Sequence, residues 1–178
     1  MRKLIVHTLA SLDGVVDDPP SWGSRDYKAE EGIRADFGEV LACDAMLLGR
    51  GGYESLAPIF GPRNDPWASR INAMQKLVFS STLAEASWQN AKVVRGDAVA
   101  AVERMKGESG GDLVTYGYTR LADALFRRGL VDVLRVSIHP VVVGRGRRWF
   151  GDGFAAKMNL LASTTYAKGV VLVTYGTA

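Results

Sequence analysis

The chain has 178 residues, a net charge of +3 and 47% apolar residues, a composition that fits a soluble globular protein and excludes an intrinsically disordered one. That charge is too small to argue for nucleic acid, even with a pI of about 9.1, and no helix-turn-helix, zinc finger or basic-aromatic stripe is present. Cys43 is the sole cysteine, and His7 and His139 are the only histidines. Neither an internal disulfide nor a Cys/His metal cluster can therefore form, and no metal is expected.

The chain opens Met1-Arg2-Lys3, and the apolar run that follows is broken at His7, so no signal-peptide core is present. No apolar run approaches the roughly 18 residues of a membrane span. A cytoplasmic protein without a membrane partner is expected. Lys3–Leu9 reads as the first strand, ended by Ser11-Leu12-Asp13-Gly14. Pro19–Gly23 is a surface loop, and Trp22 and Tyr27 are large rings in polar surroundings. They form either a lid over a site or a local hydrophobic patch. Ala29–Cys43 has helical spacing, with Ile33, Phe37, Val40 and Leu41 on one face.

Ala45–Leu48 is too short for a helix and suits a buried strand. Gly49 breaks it, Arg50, Gly51 and Gly52 follow, and a helix opens at about Gly51. A strand, a glycine turn and a helix start make a phosphate cradle. Glycine lets the backbone approach an anion, unpaired N–H groups face it, and the Arg50 fork suits a phosphate. Pro58–Pro66 reads as a loop, Asp65 as the cap of a short helix from Pro66 to about Ala73, and Lys76–Phe79 as a strand. The hydroxyls of Ser80, Ser81 and Thr82 form either an oxyanion site or a capped turn.

Lys92–Val94 is a strand and Asp97–Met105 a helix capped by Asp97. Asp112–Tyr116 is a strand, Gly117 breaks it, and a helix runs from Tyr118 to Arg128 with Gly129 as its C-cap. This repeats the design of the first junction. Two such junctions in one parallel sheet would open on the same edge and hold a pyrophosphate from two sides; alternatively each is an ordinary βα turn. Val133–Ile138 alternates as a strand. Arg145, Arg147 and Arg148 form either a receptor for a substrate phosphate or a solvated strand end. Leu160–Tyr166 and Val170–Tyr175, joined at Lys168-Gly169, read as an antiparallel hairpin. The expected fold is therefore one α/β domain over residues 1–178. It has a mostly parallel central sheet with helices on both faces and an antiparallel C-terminal hairpin. Val170–Val173 is expected to leave an apolar exposed edge that favours a homodimer.

In their order and spacing, Ser11–Gly14, Asp44–Glu54, Asp65-Pro66-Trp67, Lys76–Ser80, Gly110–Leu113, Gly117–Leu121, Gly129–Leu134 and His139–Gly144 resemble a dihydrofolate reductase-like family. It is that of the C-terminal reductase domain of the bifunctional riboflavin-pathway deaminase/reductase, and the resemblance covers nearly the whole chain. It implies a freestanding NADPH-dependent reductase. The reaction would be of the 5-amino-6-(5-phosphoribosylamino)uracil reductase type, or would act on a related small imine or carbonyl. It also implies a homodimer. Gly49, Arg50, Gly51 and Gly52, with Gly117, Tyr118, Thr119, Arg120 and Leu121, would hold the cofactor pyrophosphate. Arg50, Ser80 and Ser81 would meet the 2′-phosphate, and Leu12, Asp13 and Gly14 would line the nicotinamide end.

Gly52 stands where the family often has Thr, and Tyr118 is bulky for the second loop, where it would stack on the cofactor or partly block it. These two residues favour the alternative of a non-catalytic nucleotide-binding protein on the same fold. Trp22, Tyr27, Gly144 and Arg145 are the candidate substrate contacts. Asp13, at the end of the first strand, is the candidate catalytic residue. It orients either the substrate or a water that delivers a proton, or else simply forms an Asx turn.

Overall fold

The computed structural model describes residues 1–27, 32, 38, 41–151 and 153–177. Eight strands form one sheet: β1 (Leu4–Ser11), β2 (Cys43–Gly49), β3 (Gln75–Phe79), β4 (Ala91–Val94), β5 (Asp112–Tyr116), β6 (Val133–His139), β7 (Met158–Thr165) and β8 (Val171–Thr177). The α-helices that lie wholly within the described residues are α1 (Arg50–Phe60), α2 (Pro66–Ala73), α3 (Ala98–Gly107) and α4 (Arg120–Arg127). The strand order is β4-β3-β2-β5-β1-β6-β8-β7. The first six run parallel, and β8 pairs antiparallel with both β6 and β7. This is the α/β architecture expected from the alternating strand and helix patterns.

Consecutive residues of the central strands serve opposite faces, because strand side chains alternate. Leu4, Val6, Ala45, Leu47 and Leu113 join Val102, Leu121, Leu125 and Phe126 in one core. Ile5, Met46, Leu48 and Val114 join Tyr53, Ile71 and Trp88 in the other. Burial on both faces is why these strands are continuous apolar runs. The junctions at the N-terminal ends of the strands are tied by ion pairs. Arg2 pairs with Asp44, and Lys106 with Asp132, whose other contact is the Leu4 amide at 2.7 Å.

Several expectations need correction. The helix predicted over Ala29–Cys43 falls largely outside the described residues. Cys43 already belongs to β2, and Leu41, expected on a buried face, is exposed. Helix α1 begins at Arg50 and runs through Pro58, where a loop was expected. Pro58 lies in the last turn, and Phe60 beyond it packs against Trp67 and Trp88, so tertiary contacts outweigh the missing N–H bond. Helix α4 starts at Arg120, capped by Thr119, two residues later than predicted. The hairpin forms as expected, turning at Lys168 and Gly169 with φ of 67° and 81°. However, β8 lies inside the sheet, so the free edge is β7 and not Val170–Val173. Among the described residues no helix is long and apolar enough to cross a membrane.

Lys76 on β3 is 0% exposed. Its ammonium donates to the carbonyls of Ile71 and Met74, each at 2.6 Å, and of Asn72 at 3.0 Å, closing the C-terminus of α2. It also sits 4.9 Å from the centre of the Trp88 ring. Lys76→Met should cost about 1–3 kcal/mol at neutral pH, because it orphans buried carbonyls. Burial pushes the Lys76 ammonium down from 10.5 to about 8. Below the lower value folded and unfolded chains both hold this proton. Between the two values the unfolded chain holds more, so native stability rises with pH relative to the variant. Urea titrations across that window should show the gap widening; a constant gap would contradict the desolvated amine.

Candidate functional site

Parallel pairing places the C-terminal ends of β3, β2, β5, β1 and β6 side by side along one edge of the sheet. At the first junction Gly49 is extended and the N-terminus of α1 has no side-chain cap. A Cβ on Gly49 would lie 3.9 Å from that of Leu121, and one on Gly51 would meet nothing within 4 Å. The two glycine junctions thus face each other, and the open donors belong to α1. Gly52 packs toward Leu48, where a Cβ would stand at 3.6 Å.

The second junction is satisfied internally. Gly117, at φ +83°, donates to the His7 carbonyl at 2.7 Å. The Tyr118 amide donates to Thr8 Oγ1 at 3.0 Å, and Thr119 Oγ1 accepts from the Ala122 amide at 3.3 Å. Leu121 is buried, whereas Arg120 is exposed. The expectation that the Tyr118 ring stacks on a cofactor or blocks it is overturned. The side chain is 2% exposed and lies in the core between Phe126 and Phe150. Its hydroxyl donates to Asp123 at 3.2 Å, and burial, reinforced by that carboxylate, raises its pKa. Apolar surface area decides this placement, since a large ring gains more in the core than at a wet edge.

At the β2–β3 corner Arg50 donates to Glu54 at 2.7 Å and to Thr82 Oγ1 at 2.9 Å. Ser80 Oγ accepts from the amides of Thr82 and Leu83 at 3.2 and 3.0 Å, so this hydroxyl caps a turn; Ser81 is exposed. Arg95, which sequence reasoning missed, donates to the carbonyls of Ser80 and Leu83 and so fixes the turn. Its only sequence signal is a guanidinium directly after a strand and before Gly96.

The β1–β6 end is built differently. Asp13 accepts from Ser11 Oγ at 2.7 Å, the Val143 amide at 3.0 Å and the Gly144 amide at 2.8 Å. These bonds, from Val143 first, hold its carboxyl far below the usual carboxylate range. Asp17 accepts from the Arg147 amide at 2.9 Å and pairs with its guanidinium at 2.8 Å. Arg147 also donates to the Tyr118 carbonyl, and Arg148 lies 3.6 Å from Asp13. Gly14, expected to line a cofactor, is instead covered: a Cβ there would stand 3.0 Å from Trp149 Nε1. Leu12 stays open to solvent, bonded through its amide to the Val141 carbonyl at 2.8 Å. Trp22 and Tyr27 both set ring edges on His139, with centroids 5.3 and 6.0 Å away. Burial lowers the His139 pKa. The Asp17–Tyr27 segment therefore folds over the end of β6. Gly144 and Arg145 lie in the exposed loop beyond it.

Residues 2–172 match the model of the RibD C-terminal domain family. The uncharacterized protein YyaP of Bacillus subtilis is 28% identical over 98% of this chain and 94% of its own length. A Shewanella sp. PV-4 protein provisionally assigned to riboflavin biosynthesis superposes with a TM-score of 0.79 at 17% identity, covering 99% of each chain. The Thermotoga maritima diaminohydroxyphosphoribosylaminopyrimidine deaminase/5-amino-6-(5-phosphoribosylamino)uracil reductase superposes with a TM-score of 0.70 at 11% identity, covering 99% of this chain and 57% of its own. These two structural likenesses show a shared fold.

Because the Tyr118 ring is core and not rim, Tyr118→Ala should cost about 3–5 kcal/mol, as buried aromatic truncations do. Chemical denaturation checks this, and a loss within the error of a surface substitution would return the ring to the cofactor edge.

Proposed function

The chain belongs to the RibD C-terminal domain family, and on that premise we propose that it is a nicotinamide-dependent reductase that prefers NADPH. The observation that supports this most strongly is the uncapped N-terminus of α1 beside Gly49–Gly52, facing Leu121 across the edge. It fits a pyrophosphate, because the backbone can approach closely and the first-turn N–H groups carry partial positive charge. Gly117, Thr119, Arg120 and Leu121 form the opposite wall. Arg50, oriented by Glu54 and Thr82, meets the 2′-phosphate together with Ser81, while Ser80 and Arg95 hold the turn. When bound, the cofactor would supply a hydride to a C=N or C=O bond of a small substrate, such as the ring-opened imine of a ribosylamino group, which becomes a ribitylamino group. The 5-amino-6-(5-phosphoribosylamino)uracil of the Thermotoga enzyme is the reference compound. Asp13, ionised and saturated with donors, acts as a positioning residue that sets the Val143–Arg148 loop against β1. Trp22 and Tyr27 shape the substrate end.

We also propose a homodimer through β7. A bulge between Leu160 and Ala162 leaves the consecutive side chains of Leu160 and Leu161 both exposed, and among the described residues β7 is the last strand of the sheet at this side, open to pairing.

A charge-assisted bond to a 2′-phosphate contributes about 1.5–3 kcal/mol. Arg50→Ala should therefore weaken NADPH by about tenfold or more and leave NADH nearly unchanged. Nicotinamide fluorescence titrations check this, and equal losses for both cofactors would remove the assignment. Light scattering at micromolar concentration should give a dimer that Leu160→Lys converts to a monomer; a monomeric wild-type protein would contradict the interface.

A further inference from the structure

The turn after β3 is held by two guanidiniums, not one. β3 and β4 run parallel with Phe79 opposite Val94, and the Ser80 amide donates to the Val94 carbonyl at 3.3 Å. This register sets Arg95, the residue after β4, beside Ser80, the residue after β3. Its two terminal nitrogens bracket the turn. Nη1 donates to the Ser80 carbonyl, and Nη2 to the Leu83 carbonyl at 2.5 Å. Arg50 reaches the same turn from α1, through Thr82 Oγ1 at 2.9 Å. Ser81 and Thr82 are exposed between these attachments.

The two arginines differ in how their charge is balanced. Arg50 pairs with Glu54 at 2.7 Å, so a carboxylate already offsets its charge at the place where an anion would arrive. Arg95 is exposed and makes no ion pair among the described residues. Asp97, the nearest carboxylate along the chain, accepts from the Val99 and Ala100 amides at 2.8 and 3.2 Å as the cap of α3. Carbonyls carry no net charge, so the bonds to Ser80 and Leu83 fix the Arg95 guanidinium without neutralising it. The other N–H donors of the fork stay open to a ligand. A long side chain is thus ordered before any anion binds, which removes part of the entropy cost that makes surface ion pairs weak.

We infer that Arg95 is a specificity-determining residue that contacts the 2′-phosphate of NADPH from the β4 side of the turn, supplying the unmatched positive charge on which the preference over NADH rests. This rests on the nicotinamide reductase reading above. NADH carries only a hydroxyl at that position. A phosphate monoester there brings a charge of roughly −1.5 to −2 at neutral pH, and an oriented fork matches two of its oxygens at once.

The test is a set of nicotinamide fluorescence titrations of the full chain with NADPH and with NADH. The proteins are the wild type, Arg95→Ala, Arg95→Gln, Arg50→Ala and the double variant Arg50→Ala/Arg95→Ala. Arg95→Ala is expected to weaken NADPH by about tenfold or more, the effect of one charge-assisted contact, and to leave NADH within about twofold. Arg95→Gln keeps an amide that can donate to a turn carbonyl but has no charge, and it is expected to lose as much. With Arg50 already replaced, Arg95→Ala is expected to cost about the same factor again, because separate contacts contribute independently. Equal losses for both cofactors would overturn the inference and leave Arg95 as a support of the turn. An Arg95→Gln variant that holds NADPH as the wild type does would overturn it as well. No further loss in the double variant would also overturn it, since Arg95 would then act only through Arg50. A wild-type chain that binds NADH and NADPH equally would contradict it too. A wild-type chain that binds neither would instead remove the reductase reading, and the inference with it.

Discussion

The upper edge of the molecule depends on β5 lying between β2 and β1, parallel to both. A parallel strand buried on two faces needs apolar side chains toward both and must end in a turn that a helix can enter. Leu113 and Val114 supply one to each face, and Gly117 follows the strand. The insertion brings Gly49 within reach of Leu121, although the two are far apart in the chain. Without it each glycine junction would be an isolated βα turn. With it, two helix entrances lie together at the carboxyl ends of adjacent strands, where open α/β sheets place their ligands.

The two junctions are not equivalent. The second spends its donors on the protein itself, through His7, Thr8 and Thr119, and so is rigid. The first leaves the α1 N-terminus uncapped. Such a division suits anion binding, since a preorganised wall costs no ordering when the ligand arrives, while the open donors supply the attraction. Tyr118 contributes by filling the core beneath the second junction.

Charge is distributed along the edge in a graded way. At the β2–β3 corner Arg50 is exposed and held by one carboxylate and one hydroxyl. At the β1–β6 end Asp13 and Asp17 are matched to Arg148 and Arg147, and exposed aliphatic groups take over. The same carboxylates fasten the Val143–Arg148 loop to the segment after β1, so the charge pattern and the loop geometry are one feature. At Asp13 the Val143 and Gly144 amides, with the Ser11 hydroxyl, hold the carboxylate ionised more firmly than a surface ion pair does.

The sequence by itself determined the element types and their order. Apolar runs of four or five residues, the caps at Asp65 and Asp97, and the Lys168-Gly169 turn act within a few residues, and local physics reads them directly. It also marked the two glycine junctions at the ends of β2 and β5, because glycine after a strand is a local constraint. Only the tertiary structure decided what the side chains there do. Tyr118 went to the core because Phe126 and Phe150 offered it apolar surface. Gly14 was covered by Trp149. Helix α1 continued through Pro58 because Phe60 met two tryptophans. Arg147 and Arg148 were matched to carboxylates some 130 residues earlier, a pairing that no spacing along the chain encodes. Burial and charge matching are settled by whichever groups the sheet brings together, and that depends on strand order, which the chain sets only as a whole.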